Sequence, residues 1–379
     1  MFVLGVLGAG AMGSGIAQVA ATNGWEVRLV DINEEAILKS RNKLQKILNR
    51  QVEKGRMSDL EVKQIMGRIY FGSSLSSFEG CNLIIEAIVE NLDIKKKVFN
   101  QIEGIVDESC IIATNTSSLS VTSIASALDK PERVVGIHFF NPAPLMKLVE
   151  IIPAVQTSKE TLEKAQKTID DWGKYTVVAK DTPGFIVNKV ARPFYGEAIR
   201  IYEEGIADPA TIDWALTTIG GFRMGPFALT DYIGHDVNYK VTETVWKAFY
   251  YDPRYKPSFA QKSLVDAGYL GRKSGKGFFN YGEDENNPSP TEDKELGESI
   301  VERVVAMLIN EAADAVFMGI CSEEAVETAM TKGVNYPKGL LAWGKEWGYG
   351  KVVGLLDGLY ERYHEERYRV SPWLRDQIQ

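Results

Sequence analysis

Phe2-Val3-Leu4-Gly5-Val6-Leu7 runs straight into Gly8-Ala9-Gly10-Ala11-Met12-Gly13, and that junction decides the fold. An apolar run, a glycine turn and a helical run through Ala21 predict a strand, a tight loop and a helix. Residues 25–30 (WEVRLV) read as a second strand, closed by Asp31. G-x-G-x-x-G alone is a weak signal. A strand before it, a helix after it and an acid ending the next strand turn it into a dinucleotide fingerprint. Gly8 allows the turn, Gly10 lets the backbone approach a pyrophosphate, and Gly13 lets the helix pack closely on the sheet. Ala11 and Met12 stand at the helix start, where the N-terminus attracts phosphate charge. A carboxylate at Asp31 can accept from both adenosine ribose hydroxyls and repels a 2′-phosphate, which predicts NAD over NADP. A turn without ligand and a capping role for Asp31 are the plain alternatives.

Outward from this unit, residues 81–89, 111–113 and 134–140 read as buried strands, with helices over about residues 34–54 and 93–106. Strands alternating with helices predict an α/β fold, a Rossmann-type doubly wound parallel sheet over residues 1–182. Beyond Thr182-Pro183-Gly184 helical periods dominate, giving an all-α domain over residues 183–282. An acidic, Pro-containing stretch reads as a linker over residues 283–290, and a second helical region fills residues 291–379. A shift of 114 residues lays one helical region on the other: Glu197-Ala198 meets Glu311-Ala312, Gly205-Ile206 meets Gly319-Ile320, and Gly225 meets Gly339. The all-α region therefore reads as two duplicated helical domains, with coincidence between amphipathic segments as the alternative.

The 51 acidic against 43 basic residues give a net charge of -8, which disfavours a nucleic-acid binder. Three scattered cysteines exclude a disulfide framework or cysteine zinc site and fit a reducing cytosol. Residues 1–25 carry no charge, yet they lack a basic leader region and are rich in glycine, so they read as strand, turn and helix rather than signal or span. A cytoplasmic protein without membrane or metal is the expectation.

Only three histidines exist. His138 ends an apolar strand, and ligands in open α/β sheets gather at the carboxyl ends of strands. Glu150 is one acid in an otherwise apolar strand, and a buried carboxylate needs a partner. Together they suggest a base whose orientation an acid holds, against the bland reading of a satisfied core histidine. His235 and His364, with polar neighbours, read as surface residues. Thr114-Asn115-Thr116-Ser117-Ser118 can cap the next helix or hydrogen-bond a ligand, and Asn188 can cap or donate to a substrate oxygen. Seven basic residues share residues 39–56 with one acid, Glu53. They form either a solvated helix face or a site for phosphates outside the NAD pocket.

Several segments match one family: GAGAMGSGIA from Gly8, EAIVENL from Glu86, TNTSSLS from Thr114, HFFNPAPLMKLVEI from His138, DTPGFIVN from Asp181, MGPFALTDYIG from Met224 and GRKSGKGF from Gly271. Over about residues 1–282 the chain resembles the NAD-dependent 3-hydroxyacyl-CoA dehydrogenases, and is similar to bacterial 3-hydroxybutyryl-CoA and 3-hydroxyadipyl-CoA members. The resemblance implies oxidation of (S)-3-hydroxyacyl-CoA to 3-oxoacyl-CoA with NAD as hydride acceptor. It makes His138 the base, Glu150 its orienting acid, and Ser117 and Asn188 the groups that bind the 3-oxygen and nearby acyl-CoA atoms. It places Glu90, Lys95, Asn115, Asn141 and Lys273 around NAD, and Arg50 and Lys54 near the CoA phosphates. Short members of the family end near Tyr281. In the second copy Glu302 replaces Asn188, so residues 291–379 are expected to lack an active site. They are expected to occupy the surface through which short members dimerise, giving a monomeric pseudo-dimer, with a homodimer as the other possibility. A hydroxyacid (sugar-acid) dehydrogenase without CoA, and a non-catalytic NAD-binding protein, are the rival functions.

Overall fold

The computed structural model describes residues 2–282 and 286–378. Residues 283–285 of the expected linker lie outside the described residues. The chain divides into two compact units, with the boundary between Thr182 and Pro183.

The first unit contains β1 (Val3–Leu7), α1 (Ala11–Thr22), β2 (Glu26–Val30), α2 (Glu34–Glu53), α3 (Asp59–Gly67), β3 (Ile69–Gly72), β4 (Leu83–Glu86), α4 (Leu92–Glu103), β5 (Ile111–Thr114), α5 (Val121–Ala125), β6 (Val134–Phe139), β7 (Leu148–Pro153), α6 (Lys159–Asp171) and β8 (Tyr175–Val178). The sheet order is β3-β2-β1-β4-β5-β6-β7-β8. Helices cover both faces of such a sheet, so its strands are apolar nearly throughout. Leu4, Val6, Leu29, Ile84, Ile85, Ile112 and Ile137 have no exposed surface. All neighbouring strands run parallel except β6 and β7, which are antiparallel. The expectation of a parallel sheet is corrected at this one pairing. Residues 140–147 are too short for the crossover of about a dozen or more residues that a parallel partner needs, so the chain turns back on itself.

The second unit is helical: α7 (Val187–Val190), α8 (Arg192–Glu203), α9 (Pro209–Trp214), α10 (Pro226–Ile233), α11 (His235–Ala248), α12 (Phe259–Asp266), α13 (Lys294–Phe317), α14 (Glu323–Gly333), α15 (Leu340–Trp347), α16 (Tyr349–Tyr363) and α17 (Pro372–Asp376). Several local devices recur at the 114-residue shift. Asp208 and Ser322 cap α9 and α14 through the amides of Thr211 and Ala325. The Asp213 carboxylate accepts from the amides of Phe227 and Ala228 at 2.9 and 2.8 Å. Glu327 accepts from Leu341 and Ala342 at 2.7 and 3.3 Å. A Cβ on Gly225 would meet Asp213 Cγ at 2.1 Å, and one on Gly339 would meet Glu327 Oε2 at 1.6 Å. Both glycines are therefore fixed by the same carboxylate device.

The pairs between the two stretches are reciprocal. Lys189 pairs with Glu311, and Arg303 pairs with Glu197. Lys189 and Arg303 are 114 residues apart, as are Glu197 and Glu311. Tyr255 donates to Glu311, and Tyr368 donates to Glu197. Phe222 packs edge-on against Tyr336, its own counterpart, with centroids 5.0 Å apart. Exchange of this kind, with one position meeting itself, is the pattern of an isologous twofold interface.

Candidate active site

The loop between β1 and α1 is built by its glycines. Gly8 has φ +108°, and a Cβ there would meet Ala87 O at 2.5 Å. A Cβ on Gly13 would lie 1.8 Å from Gly8 O. Gly10 faces open space instead, which leaves its backbone approachable. The helix α1 begins at Ala11 with no side-chain cap and no acid in its first turn. The other helices of the first unit all start with an Asn or Ser side-chain cap. An uncapped N-terminus keeps its amides for an anion. Asp31 ends β2 beside this loop; its Oδ2 accepts from Ala9 N at 2.7 Å and its Oδ1 from Asn33 N at 2.9 Å. The residues present thus fit a dinucleotide: an approachable loop, an open helix end and a held carboxylate.

His138 and Glu150 are brought together by strand register. They are directly opposed on β6 and β7, and His138 Nδ1 lies 2.7 Å from Glu150 Oε2. His138 is 5% exposed and Glu150 is fully buried. Directly opposed side chains on antiparallel strands are close enough to interact, so a strand reversal that sequence reading missed makes this pair. The Phe140 ring lies 4.6 Å from the imidazole.

Beside it, the ends of β4 and β5 form a carboxylate network. Fully buried Glu86 accepts from Ile88 N, Thr114 Oγ1 and Lys95 Nζ. Lys95 also reaches Glu90 at 3.2 Å. Glu90 accepts from Thr116 Oγ1, Ser117 N and Ser118 Oγ. Burial opposes its charge, but Lys95 and the Thr116 and Ser118 hydroxyls outweigh that and hold its carboxyl below the usual range. Asn115 accepts from Phe139 N at 2.8 Å, tying the polar cluster to the residue after His138. Lys95 is buried and spent on two carboxylates, so it organises this corner from below. Glu86 escaped the sequence reading; an acid ending a buried strand with a lysine on the next helix was the available signal.

A groove of about 1010 Å³ opens in the same unit, from the glycine loop past α2 to Asn141 and Lys174. Lys39, Lys43, Arg56, Lys147 and Lys174 line it, and no acidic residue does. Lys174 donates to the carbonyls of Ala143 and Met146, and burial lowers its pKa. Arg50 and Lys54, expected near CoA phosphates, are exposed and are not among the lining residues. Their neighbours Lys39, Lys43 and Arg56 are.

Asn188 and Lys273 belong to the second unit. Asn188 is half-buried on α7, and Lys273 pairs with Asp236 at 2.5 Å. His235 is a correction: it is fully buried, with Nε2 2.6 Å from Asp231 Oδ1. Asp231 also accepts from Phe278 N, Phe279 N and Tyr281 Oη, so the pair pins the segment after α12 to α10 and α11. Polar neighbours in sequence misled because the helix turns this face inward. His364 is exposed, as expected. Among the described residues no group of acids, histidines and cysteines is placed to hold a metal, and no helix is long and apolar enough to cross a membrane.

A glycine loop on the first strand of such a sheet, with a histidine–carboxylate pair at the carboxyl end of another, is the layout of a dinucleotide-dependent dehydrogenase. Comparison with known proteins narrows it. Residues 3–182 match the 3-hydroxyacyl-CoA dehydrogenase NAD-binding domain, and residues 184–281 and 300–379 match the C-terminal domain of the same family. The chain is 36% identical to the 3-hydroxyadipyl-CoA dehydrogenase of Escherichia coli over 98% of its own length and 96% of the relative's. It is 41% identical to a probable 3-hydroxybutyryl-CoA dehydrogenase of Deinococcus radiodurans, over 73% of this chain and 99% of that one. The crystal structure of an E. coli 3-hydroxybutyryl-CoA dehydrogenase superposes with a TM-score of 0.94 at 35% identity, covering 99% of this chain and 98% of that one. The chain belongs to the 3-hydroxyacyl-CoA dehydrogenase family, and is an NAD-dependent oxidoreductase of that kind.

Proposed function

We propose that the chain oxidises (S)-3-hydroxyacyl-CoA reversibly, with 3-hydroxyadipyl-CoA and 3-hydroxybutyryl-CoA as the substrates to test first. The observation that carries the mechanism is the 2.7 Å contact between His138 Nδ1 and Glu150 Oε2. With Nδ1 turned to the carboxylate, proton exchange with substrate falls to Nε2. His138 takes the 3-hydroxyl proton, and Glu150 holds the ring and stabilises the imidazolium. Bound NAD supplies the hydride acceptor for the hydrogen leaving C3. Ser117 and Asn188 hold the 3-oxygen, where carbonyl character develops. The loop Gly8, Gly10, Ala11, Met12 and Gly13 holds the pyrophosphate and Asp31 the adenosine ribose. Glu90 and Asn115, fixed by their networks, and Asn141 would flank the cofactor, with Lys95 acting through Glu90.

The acid-free groove with five cations supports a CoA substrate over a sugar acid. The E. coli relative that aligns along the full chain is a 3-hydroxyadipyl-CoA dehydrogenase, which favours the dicarboxylic chain. Three cysteines far apart in sequence, with no C-x-x-C, support a reducing cytoplasmic location. Initial NADH-forming rates on the two acyl-CoA substrates, side by side, test the assignment. Turnover of either is expected, the adipyl substrate being preferred, and turnover of neither contradicts it.

Residues 183–282 and 291–379 are two copies of one helical domain, the second placed as a dimer partner would be. The double match to one family domain and the reciprocal Lys189–Glu311 and Arg303–Glu197 pairs support this. Light scattering is expected to return the mass of one chain; a stable dimer contradicts the monomeric state and leaves a homodimer that pairs through another surface.

A further inference from the structure

Arg192, at the start of α8, is a buried cation without a counter-charge. It is 7% exposed. Its Nη1 donates to Thr242 Oγ1 at 3.1 Å, its guanidinium lies 5.0 Å from the Tyr195 ring centre, and its Nε is buried without a partner. The other buried arginines of this unit, Arg254, Arg303 and Arg367, each face a carboxylate. Arg192 lies over the Tyr195 ring instead, with the Tyr336 phenol near enough to act on its charge. The Tyr336 hydroxyl, from the second helical copy, is likewise buried without a partner. An arginine cannot escape an unpaired burial by losing its proton, and a lone buried charge is costly enough that proteins pair it. Two polar groups left without partners next to each other, both able to donate, call for an acceptor from outside the chain. A planar guanidinium is suited to a carboxylate.

Its place on the helix says which one. Arg192 follows Asn188 by four residues, and Ala191 between them keeps helical backbone (φ -78°, ψ -8°). The two therefore lie about one turn apart on the same side. Four helical residues rise about 6 Å, on the scale of the distance from the 3-oxygen to the far carboxylate oxygens of an extended six-carbon dicarboxylic chain. We infer that Arg192, assisted by Tyr336, binds the far carboxylate of a dicarboxylic acyl-CoA, so that the second helical copy contributes to substrate selection. This rests on the reading of Asn188 as a ligand of the 3-oxygen.

The test compares kcat/KM on (S)-3-hydroxyadipyl-CoA, its ω-methyl ester and (S)-3-hydroxybutyryl-CoA. Removing a charge-assisted hydrogen bond should make the native enzyme favour the diacid over its ester by about tenfold to a hundredfold. Arg192→Met should bring that ratio close to one, Arg192→Lys should recover part of it, and Tyr336→Phe should lower it severalfold. A residue that only supports the fold would depress all three substrates together and leave the ratio intact, which overturns the inference. So does a native enzyme that turns over the butyryl substrate but treats diacid and ester alike, a result that needs no variant to fold. A native enzyme inactive on all three overturns the acyl-CoA reading beneath it.

Discussion

Replacing Glu150 by Gln keeps the shape of the buried side chain and removes its charge. Glu150 has no exposed surface and lies 2.7 Å from His138 Nδ1, so no water replaces the lost carboxylate. Opposite unit charges about 4 Å apart attract by about 4 kcal/mol at an effective dielectric constant of about 20. Gln retains a dipole and can still accept one hydrogen bond, which returns part of this. A net loss of about 2–3 kcal/mol in stabilising the imidazolium corresponds to a fall in kcat of about thirtyfold to two-hundredfold. The amide can also turn its NH2 toward Nδ1 and select the tautomer that cannot accept a proton at Nε2, which adds to the loss. The assay is NADH formation under saturating NAD, with NAD affinity measured separately by fluorescence titration. The reasoning requires kcat to collapse while NAD affinity stays within about threefold. A variant with kcat within threefold of the native enzyme would refute it.

Other consequences follow from particular contacts. Asp31→Ala should weaken NAD and narrow its advantage over NADP by about tenfold or more, since the anion opposing a 2′-phosphate is gone; an unchanged cofactor preference in steady-state kinetics counts against the ribose assignment. Gly13→Ala places a methyl group 1.8 Å from Gly8 O, so the loop must open, and calorimetry should find NAD binding weakened by about tenfold or more. Burial pushes the Asp213 carboxyl up to about 7, against the pull of the Phe227 and Ala228 amides. The folded chain therefore binds this proton more tightly than the unfolded one. Its contribution is present below the unfolded value near 4 and is lost as pH rises to about 7, by about 1.4 kcal/mol per unit. The stability difference between native protein and Asp213→Asn, from urea denaturation between pH 4 and 8, should shift in the variant's favour across that window; a difference independent of pH refutes it.

Much of the first unit was legible because its physics is local. The glycine loop, Asp31 and the strands around residues 81–89 and 134–140 each carry their signal within about ten residues. The elements missed were short or amphipathic, such as β3 and β8, whereas the strand that carries Glu150 was read and only its reversed direction was not. Glu150 was picked out as a buried acid, but its register opposite His138 follows from that reversal. His235 was misread because burial of one helix face is decided by its packing, which neighbouring residues in sequence do not report. The basic segment stands out in composition alone. Which of its cations face the groove depends on the turn of α2 and its exit, and Lys39, Lys43 and Arg56 prevail over Arg50 and Lys54. The 114-residue shift is visible in the sequence, yet only the folded chain reveals that Lys189 and Arg303, which it relates, pair with Glu311 and Glu197.

The central claim is that His138 moves the substrate proton, and His138→Ala tests it most directly. Initial rates on 3-hydroxybutyryl-CoA and 3-hydroxyadipyl-CoA should fall by about a hundredfold or more, with NAD affinity preserved. Turnover close to that of the native enzyme would remove His138 from its role and leave the paired carboxylate as core structure alone.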